Sequence, residues 1–281
     1  MPPSPPPHSN NFLVAFPIPH VLLLTLNRPE ALNSVTPQQQ QELRLVLDWF
    51  DVTDELWVLV ITGAERMFCT GVDLKDWNQR ASANTRTDQT DIVANTNGFA
   101  SLSRRDSAKP IIAAVNGGAF GGGMELLLNC DLVVAADDAK FALPEVRRGV
   151  SALQGGIPRL TQIAGHQRAS EMLLLGRTFS AKEAYAKFGF INFLVPQSSV
   201  LSTALDLAKE IVTKCSPDAV QATKRALLLA EDHQASIAGG ASSRESDGLF
   251  GTEGDALNMQ EGLLSFVEKR APVWKNPRSK L

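Results

Sequence analysis

Two glutamates, Glu125 and Glu145, lie on either side of a short predicted strand, and a run of glycines precedes the first of them. Gly121, Gly122 and Gly123 allow a tight turn, and no Cβ shields their backbone N–H groups from a ligand. Two carboxylates beside accessible N–H groups are the elements of acid–base catalysis next to a polarised carbonyl oxygen. The residue types and their spacing therefore predict a site of proton transfer.

A strand, a turn and a helix are predicted to position the first glutamate. The apolar run Ile111–Val115 follows Pro110 and precedes a glycine turn, which is typical of a strand buried on both faces. A helix is predicted over residues 124–129, with Glu125 in its first turn. The unpaired N–H groups and the positive dipole end of such a helix favour an oxygen that becomes negative during a reaction.

The same residues also fit a structural role. Glycines between a strand and a helix often serve close packing, and a glutamate in a first helical turn offsets the helix dipole. The second carboxylate favours catalysis, because a further strand is predicted over residues 131–136 and Glu145 follows Pro144 at a loop-to-helix junction that can face a cleft. Residue chemistry alone leaves both interpretations open.

Several motifs, in order along the chain, resemble those of the enoyl-CoA hydratase/isomerase (crotonase) family. Residues 109–125, followed by the Leu-Pro-Glu sequence that ends at Glu145, are similar to the family's strand, GGG-x-E helix start and PE pair. The similarity continues in residues 26–33, 68–75, 155–160 and 261–270. It covers about residues 12 to 275, and linked motifs are far more specific than any single one.

The resemblance implies an α/β fold, a crotonase-like spiral of ββα units with a helical C-terminal trimerisation region. We expect a disordered Pro-rich tail over residues 1–11, the spiral core over 12–200, the helical region over 201–275 and a tail over 276–281. The hydrophobic pattern agrees with this order. It predicts strands at 21–26 and 56–62, a capped helix after Thr36 with Gln39 closing a capping box, and helices at 201–214 and 217–231.

The resemblance also implies a mechanism. The backbone N–H groups of Val72 and Gly122 would form an oxyanion hole for a thioester oxygen. Glu125 would orient and deprotonate the water that attacks the β carbon of a trans-2-enoyl-CoA, while Glu145 would exchange the proton at the α carbon. The reverse path would dehydrate a 3-hydroxyacyl-CoA.

Further residues are predicted to bind the coenzyme A part of the substrate. The corresponding loop and C-terminal positions are Cys69, Thr70, Gly71, Asp73, Leu74, Lys75, Phe250 and Lys269. Phe250 also fits a packed core aromatic, and Lys269 also fits an exposed helix charge. Coenzyme A belongs to the substrate, and no separate cofactor is expected.

The predicted acyl pocket departs from the family's pattern. Leu153 and Gln154 stand where typical fatty-acid hydratases have a small, proline- and glycine-rich IPGAGG segment, which leaves the natural acyl group open. The backbone N–H of Leu153 is a candidate to hold the catalytic water. The polar region 79–108 is expected to be in part a solvated loop and exposed helix and in part, as the resemblance implies, a wall of the acyl pocket. Its candidate inward-pointing residues are Ile92, Val93, Phe99 and Leu102.

Three functions follow from the resemblance. The first is an enoyl-CoA hydratase, a hydro-lyase that uses both glutamates. The second is an enoyl-CoA double-bond isomerase that uses mainly Glu145, and the retention of Glu125 argues against it. The third is an acyl-CoA-binding member without hydratase turnover. The oxyanion glycines and both carboxylates argue against this function. Fatty-acid β-oxidation and specialised metabolite synthesis both remain open.

Composition argues against several other classes. The net charge of −3 and the lack of a basic stripe argue against a nucleic-acid partner, and no apolar run is long enough to span a bilayer. Cys69, Cys130 and Cys215 have no CxxC spacing and the histidines are scattered, so no metal is predicted. The resemblance implies assembly as a homotrimer or hexamer.

The chain closes with Ser279, Lys280 and Leu281, the form of a peroxisomal address. This tripeptide predicts recognition by the peroxisomal import receptor and a peroxisomal location. The expectation is strengthened by the resemblance to a family that acts on acyl-CoA, because peroxisomes process such thioesters.

Overall fold

The computed structural model describes residue 2 and residues 4–73, 96–232 and 257–276. The strands are β1 (Phe12–Ile18), β2 (Val21–Leu26), β3 (Val58–Gly63), β4 (Met67–Cys69), β5 (Ile111–Val115), β6 (Gly118–Phe120), β7 (Leu132–Ala136), β8 (Lys140–Ala142), β9 (Phe179–Ser180) and β10 (Phe193–Val195). The α-helices are α1 (Pro37–Val52), α2 (Gly122–Leu128), α3 (Gly156–Ala164), α4 (His166–Leu175), α5 (Ala181–Glu183), α6 (Val200–Lys214), α7 (Pro217–Asp232) and α8 (Leu257–Glu268).

The strands form two separate sheets, and from β3 to β8 successive strands of the chain are added to each in turn. The larger sheet has the order β1-β2-β3-β5-β7-β10, with β1 antiparallel to β2 and the other neighbours parallel. The smaller sheet has the order β4-β6-β8-β9. Each of the pairs β5/β6 and β7/β8 adds one strand to each sheet before the chain enters a helix. The predicted spiral of ββα units is therefore confirmed.

The core lies at the centre of the larger sheet. Every residue of β3 and β5 is buried, as expected for parallel strands covered on both faces. Helix α6 packs across β3, β5 and β7 with its small residues Ala204 and Ala208 fully buried, so the helix approaches the sheet closely. This rigid centre holds the turns that follow β5 and β4.

Helix α1 begins as predicted, but its capping box is incomplete. The Thr36 side chain accepts a hydrogen bond from the Gln39 N–H at 3.2 Å. The Gln39 side chain does not return to Thr36 and instead donates to the Asn11 carbonyl at 3.0 Å. A contact with the preceding segment thus replaces the expected local bond.

The segment that follows residue 96 is tied to the helices around the site. Phe99 and Leu102 are buried, as expected, whereas Ile92 and Val93 lie outside the described residues. Arg105 pairs with acidic side chains of α1, and the Asn129 side chain donates to the Leu102 carbonyl at 2.6 Å. The segment from Phe99 to Arg105 is therefore held by α1 on one side and by the end of α2 on the other. No helix among the described residues has the length and apolar character needed to cross a membrane.

Candidate active site

Glu125 is held by backbone donors from a distant loop. It lies in the first turn of α2 and is only 3% exposed. Its Oε1 accepts hydrogen bonds from the N–H groups of Gln154 at 2.8 Å and Gly156 at 3.1 Å. A Cβ on Gly156 would lie 3.1 Å from the same oxygen, so a glycine allows this close approach. The carboxylate therefore has one oxygen bound by the backbone in a fixed position.

The environment of Glu125 suits a base that works near neutral pH. Burial raises its pKa to about 7, and the nearby charge of Glu145 contributes to the rise. The N–H donors of Gly156 and Gln154 and the charge of Arg104 oppose this rise in pKa. A general base is most effective when its pKa lies close to the working pH.

Glu145 also lies beside the glycine turn that precedes α2. It begins a short 3₁₀ helix, Glu145–Arg148, and its Oε1 lies 3.5 Å from the place where a Cβ on Gly121 would stand. Its Oε2 is buried and has no hydrogen-bond partner among the described residues. Burial raises the pKa of this carboxyl as well. The structure thus brings both predicted carboxylates to the glycine turn before α2.

The two predicted oxyanion donors are brought together by close backbone packing. Gly71 has φ +90°, and a Cβ there would lie 2.9 Å from the Gly122 nitrogen. Val35 donates to the Gly71 carbonyl and accepts from the Asp73 N–H, so the Val72 N–H points away from Val35. Within the described part of the chain, the N–H groups of Val72 and Gly122 donate to no other residue. The pair can therefore receive an oxygen from a substrate.

The described residues of the predicted coenzyme A loop lie beside these donors. Cys69 is fully buried, and its carbonyl would be 2.3 Å from a Cβ on Gly123, which locks β4 against the start of α2. Thr70 donates to the Leu32 carbonyl at 3.1 Å. Asp73 accepts from Arg28 at 2.9 Å. These contacts fix the backbone of the loop on both sides of Val72.

Of the other predicted binding residues, only Lys269 belongs to the described part of the chain. Leu74, Lys75 and Phe250 lie outside the described residues, and so do the terminal Ser279, Lys280 and Leu281. Lys269 is exposed just beyond α8, with φ +55°. Its contact with coenzyme A stays a prediction.

The expected role of the Leu153 N–H is corrected by the structure. This N–H donates to the Ser151 carbonyl at 2.9 Å, in a tight turn, and the Leu153 side chain is 58% exposed. The donors that bind Glu125 are the backbone N–H groups of Gln154 and Gly156, neither of which was predicted as a donor from the sequence. The glycine pair that ends at Gly156 is the signal for them, because such pairs permit close backbone approach.

Two acid–base groups and two backbone donors thus surround one turn, and this arrangement can polarise a carbonyl while moving protons at the neighbouring carbons. The described residues contain no group of three or more His, Cys, Asp or Glu side chains placed to hold a metal ion.

A family model described as enoyl-CoA hydratase/isomerase matches residues 19–277. The chain belongs to this family.

Individual members of the family resemble the chain over almost its whole length. A mevalonyl-coenzyme A hydratase of Beauveria bassiana is 44% identical over 97% of this chain and 98% of its own. A mevalonyl-coenzyme A hydratase of Aspergillus fumigatus is 43% identical over 94% of both chains. A crystal structure of enoyl-CoA hydratase from Bacillus anthracis has a TM-score of 0.85 and 31% identity, covering 95% of this chain and 99% of that one.

Proposed function

We propose that this enzyme is a hydratase that adds water across the double bond of an α,β-unsaturated acyl-CoA and catalyses the reverse dehydration. The observation that carries the proposal is the convergence of Glu125 and Glu145 on the turn that presents the Gly122 N–H. In hydration, Glu125 takes a proton from water while the oxygen of that water bonds to the β carbon. Glu145 then gives a proton to the α carbon. The N–H groups of Val72 and Gly122 stabilise the enolate oxygen between these events.

We propose mevalonyl-CoA and its dehydrated enoyl-CoA as the leading substrate pair. The support is the name of the two relatives that are 44% and 43% identical to this chain. The replacement of the small IPGAGG segment by a segment containing Leu153 and Gln154 also supports an acyl group other than a simple fatty chain. Gln154 is buried at this position, next to Glu125.

The first experiment follows the absorbance of the conjugated enoyl thioester. Mevalonyl-CoA is offered for dehydration, and crotonyl-CoA and longer trans-2-enoyl-CoAs are offered for hydration, with Glu125→Gln and Glu145→Gln beside the parent enzyme. We expect turnover by the parent, with the highest kcat/KM on the mevalonyl pair, and a loss of orders of magnitude in both variants. Glu30→Gln, which changes an exposed carboxylate, is the matched control.

Other outcomes would favour the alternative functions. Migration of a 3-enoyl double bond without uptake of water, in an enzyme indifferent to Glu125→Gln, would identify an isomerase that uses Glu145. Tight binding of acyl-CoA with no exchange of the α proton into deuterated water would identify a binding protein. Preference for straight-chain enoyl-CoA would support a role in β-oxidation over specialised metabolism.

A homotrimer or hexamer is proposed as the working assembly. The support is the exposed apolar face of α8, on which Phe266 is 85% exposed. Neighbouring exposed apolar residues are Leu263, Leu264 and Val267. Contiguous apolar surface of this kind marks interaction sites. Phe266→Asp should reduce the mass measured by light scattering, whereas Ser202→Asp, on the exposed face of α6, should not.

The location proposed for the enzyme is the peroxisome. The support is the tripeptide Ser279, Lys280 and Leu281, the form that the import receptor reads. A fluorescent protein fused ahead of this chain should enter peroxisomes, and deletion of the three residues should leave it outside. Import that is indifferent to the deletion would reject this proposal.

A further inference from the structure

Ser103 is a buried polar residue that bonds both to the loop that holds Glu125 and to Phe99, which packs on Gly122. It is fully buried, just after the 3₁₀ helix Phe99–Ser101. Its hydroxyl oxygen accepts a hydrogen bond from the Phe99 N–H at 2.8 Å, and the hydroxyl donates to the Gln154 carbonyl at 2.5 Å. A buried hydroxyl with both bonds satisfied fixes the groups on either side of it.

The Gln154 carbonyl belongs to the peptide unit between the two that bind Glu125. The Gln154 N–H lies in the preceding peptide unit and the Gly156 N–H in the following one. Because peptide units are planar, the orientation of the middle unit limits the directions available to both neighbours. A bond to this one carbonyl therefore constrains both donors to Glu125.

The backbone at Gly155 shows that this packing is tight. Gly155 has φ +114°, and a Cβ there would stand 2.7 Å from the Ser103 carbonyl oxygen. Only glycine adopts this conformation readily and allows such an approach. The loop is thus seated directly on the turn that contains Ser103.

The same hydroxyl is also connected, through Phe99, to the oxyanion donor Gly122. Ser103 holds the Phe99 N–H, and the Phe99 ring is so close to α2 that a Cβ on Gly122 would lie 2.7 Å from it. Ser103 is therefore connected through Phe99 to the oxyanion glycine and through Gln154 to the donors of Glu125.

We propose that Ser103 is a positioning residue for water addition, whose hydroxyl fixes the loop of Gln154 and Gly156 so that their N–H groups hold Glu125 beside the oxyanion glycine. Ser103 acts through backbone groups and does not contact the substrate. The proposal rests on the proposed hydratase function, in which Glu125 handles the water.

The test compares Ser103→Ala with Ser101→Ala. Ser101 is an equally buried serine whose hydroxyl donates to the Gln40 carbonyl at 3.3 Å, toward α1 and away from the loop. Ser103→Ala removes both hydrogen bonds of the hydroxyl. We expect kcat for hydration to fall about tenfold, which corresponds to about 1.4 kcal/mol, with KM nearly unchanged. The acid limb of the pH profile should move to higher pH, and Ser101→Ala should change neither quantity.

A second readout does not need turnover. Infrared titration of the Glu125 carboxyl band, assigned by difference from Glu125→Gln, reports its ionisation directly. Because the N–H donors lower the pKa of Glu125, loosening them should raise it, while Glu145 and Arg104 are the other charges that act on this group. If the parent hydrates no thioester, the proposed function fails, but this titration still tests Ser103.

Two results would overturn the proposal. One is a Ser103→Ala enzyme that melts at lower temperature but keeps the parental titration and acid limb, which would make Ser103 merely structural. The other is a full tenfold loss of activity when Ser103→Ala is added to Glu125→Gln, since a residue that acts mainly through Glu125 should add little there. If Ser103→Ala does not fold, Ser103→Cys, with a weaker donor of similar size, should show a smaller shift in the same direction.

Discussion

Glu125 and Glu145 meet at one glycine turn but are held in different ways. Glu125 is almost fully buried, and two backbone N–H groups bind one of its oxygens. Glu145 is half-buried on a 3₁₀ helix, and its Oε2 has no partner among the described residues. Burial raises the pKa of both carboxyls. The difference is therefore in how firmly each group is positioned.

This contrast indicates a division of work between the two carboxylates. A carboxylate bound by the backbone on one oxygen can hold a water molecule in a fixed place with the other. A carboxylate with an unpaired oxygen beside the oxyanion donors can give and take a proton at the α carbon. The comparison thus assigns the β carbon to Glu125 and the α carbon to Glu145.

Glu145→Gln is expected to have the largest effect. It removes the proton donor for the α carbon, so hydration should fall by about 10⁴-fold, the upper range for general acid–base catalysis. Exchange of the α proton into deuterated water should be lost with it. Hydration assays and mass spectrometry of the recovered acyl-CoA measure the two losses. Retained exchange would break the assignment of Glu145 to the α carbon.

Glu125→Gln is expected to separate the two steps. The amide keeps the shape of the side chain but cannot take a proton from water, so hydration should fall by about 10³-fold. Exchange of the α proton should remain within about tenfold of the parent, because Glu145 is intact. Equal loss of hydration and exchange would show that the two carboxylates act as one unit and are not divided as the contrast indicates.

Gly71→Ala tests the oxyanion hole formed by the N–H groups of Val72 and Gly122. A Cβ there would lie 2.9 Å from the Gly122 nitrogen and would push the two oxyanion donors apart, at a position with φ +90°. Hydration should fall by about 10²- to 10³-fold, as when one oxyanion donor is lost. Gly149→Ala is the matched control, since Gly149 also has positive φ (+74°) but has open space around it. Equal losses in both variants would attribute the effect to backbone strain alone.

The pH dependence of hydration should report the buried carboxylate. Glu125 must be ionised to act as base, and its pKa is raised to about 7. Below this pH, kcat/KM should fall about tenfold per unit as the base is protonated. Burial also raises the pKa of Glu145, a direction that favours its protonated form and its role as proton donor in hydration. An acid limb that persists unchanged in Glu125→Gln would remove Glu125 as its source.

Local signals in the sequence were sufficient to predict many of the elements that place these residues. The apolar run at 111–115 forms β5 as predicted, and Thr36 caps α1. The predicted helix around Glu125 begins at Gly122, two residues earlier than expected, because the glycines themselves enter its first turn. Such elements depend on neighbours in the chain, and periodicity and caps report them.

The hydrogen bonds of Glu125 could not be predicted in the same way. Its donors lie at Gln154 and Gly156 and are oriented by Ser103, across contacts between separate parts of the chain. Backbone N–H groups carry no side-chain signature, so the sequence directed attention to the Leu153 N–H, which turns back to Ser151. Tertiary packing decides which peptide faces the site.

The last and smallest effect concerns stability. The pKa of Glu125 is raised from 4.5 to about 7 on folding, so the folded protein binds this proton more tightly than the unfolded chain does. The resulting stability is complete below about pH 4.5 and is lost as the pH rises to about 7. Because the amide in Glu125→Gln cannot ionise, the stability of this variant relative to the parent should increase by about 2.5 kcal/mol between pH 5 and pH 8. Urea unfolding at fixed protein concentration measures this difference, with Glu30→Gln showing the effect of an amide at an exposed position. A difference that does not change with pH would mean that Glu125 is not a buried titrating group, and the contrast with Glu145 would then rest on hydrogen bonding alone.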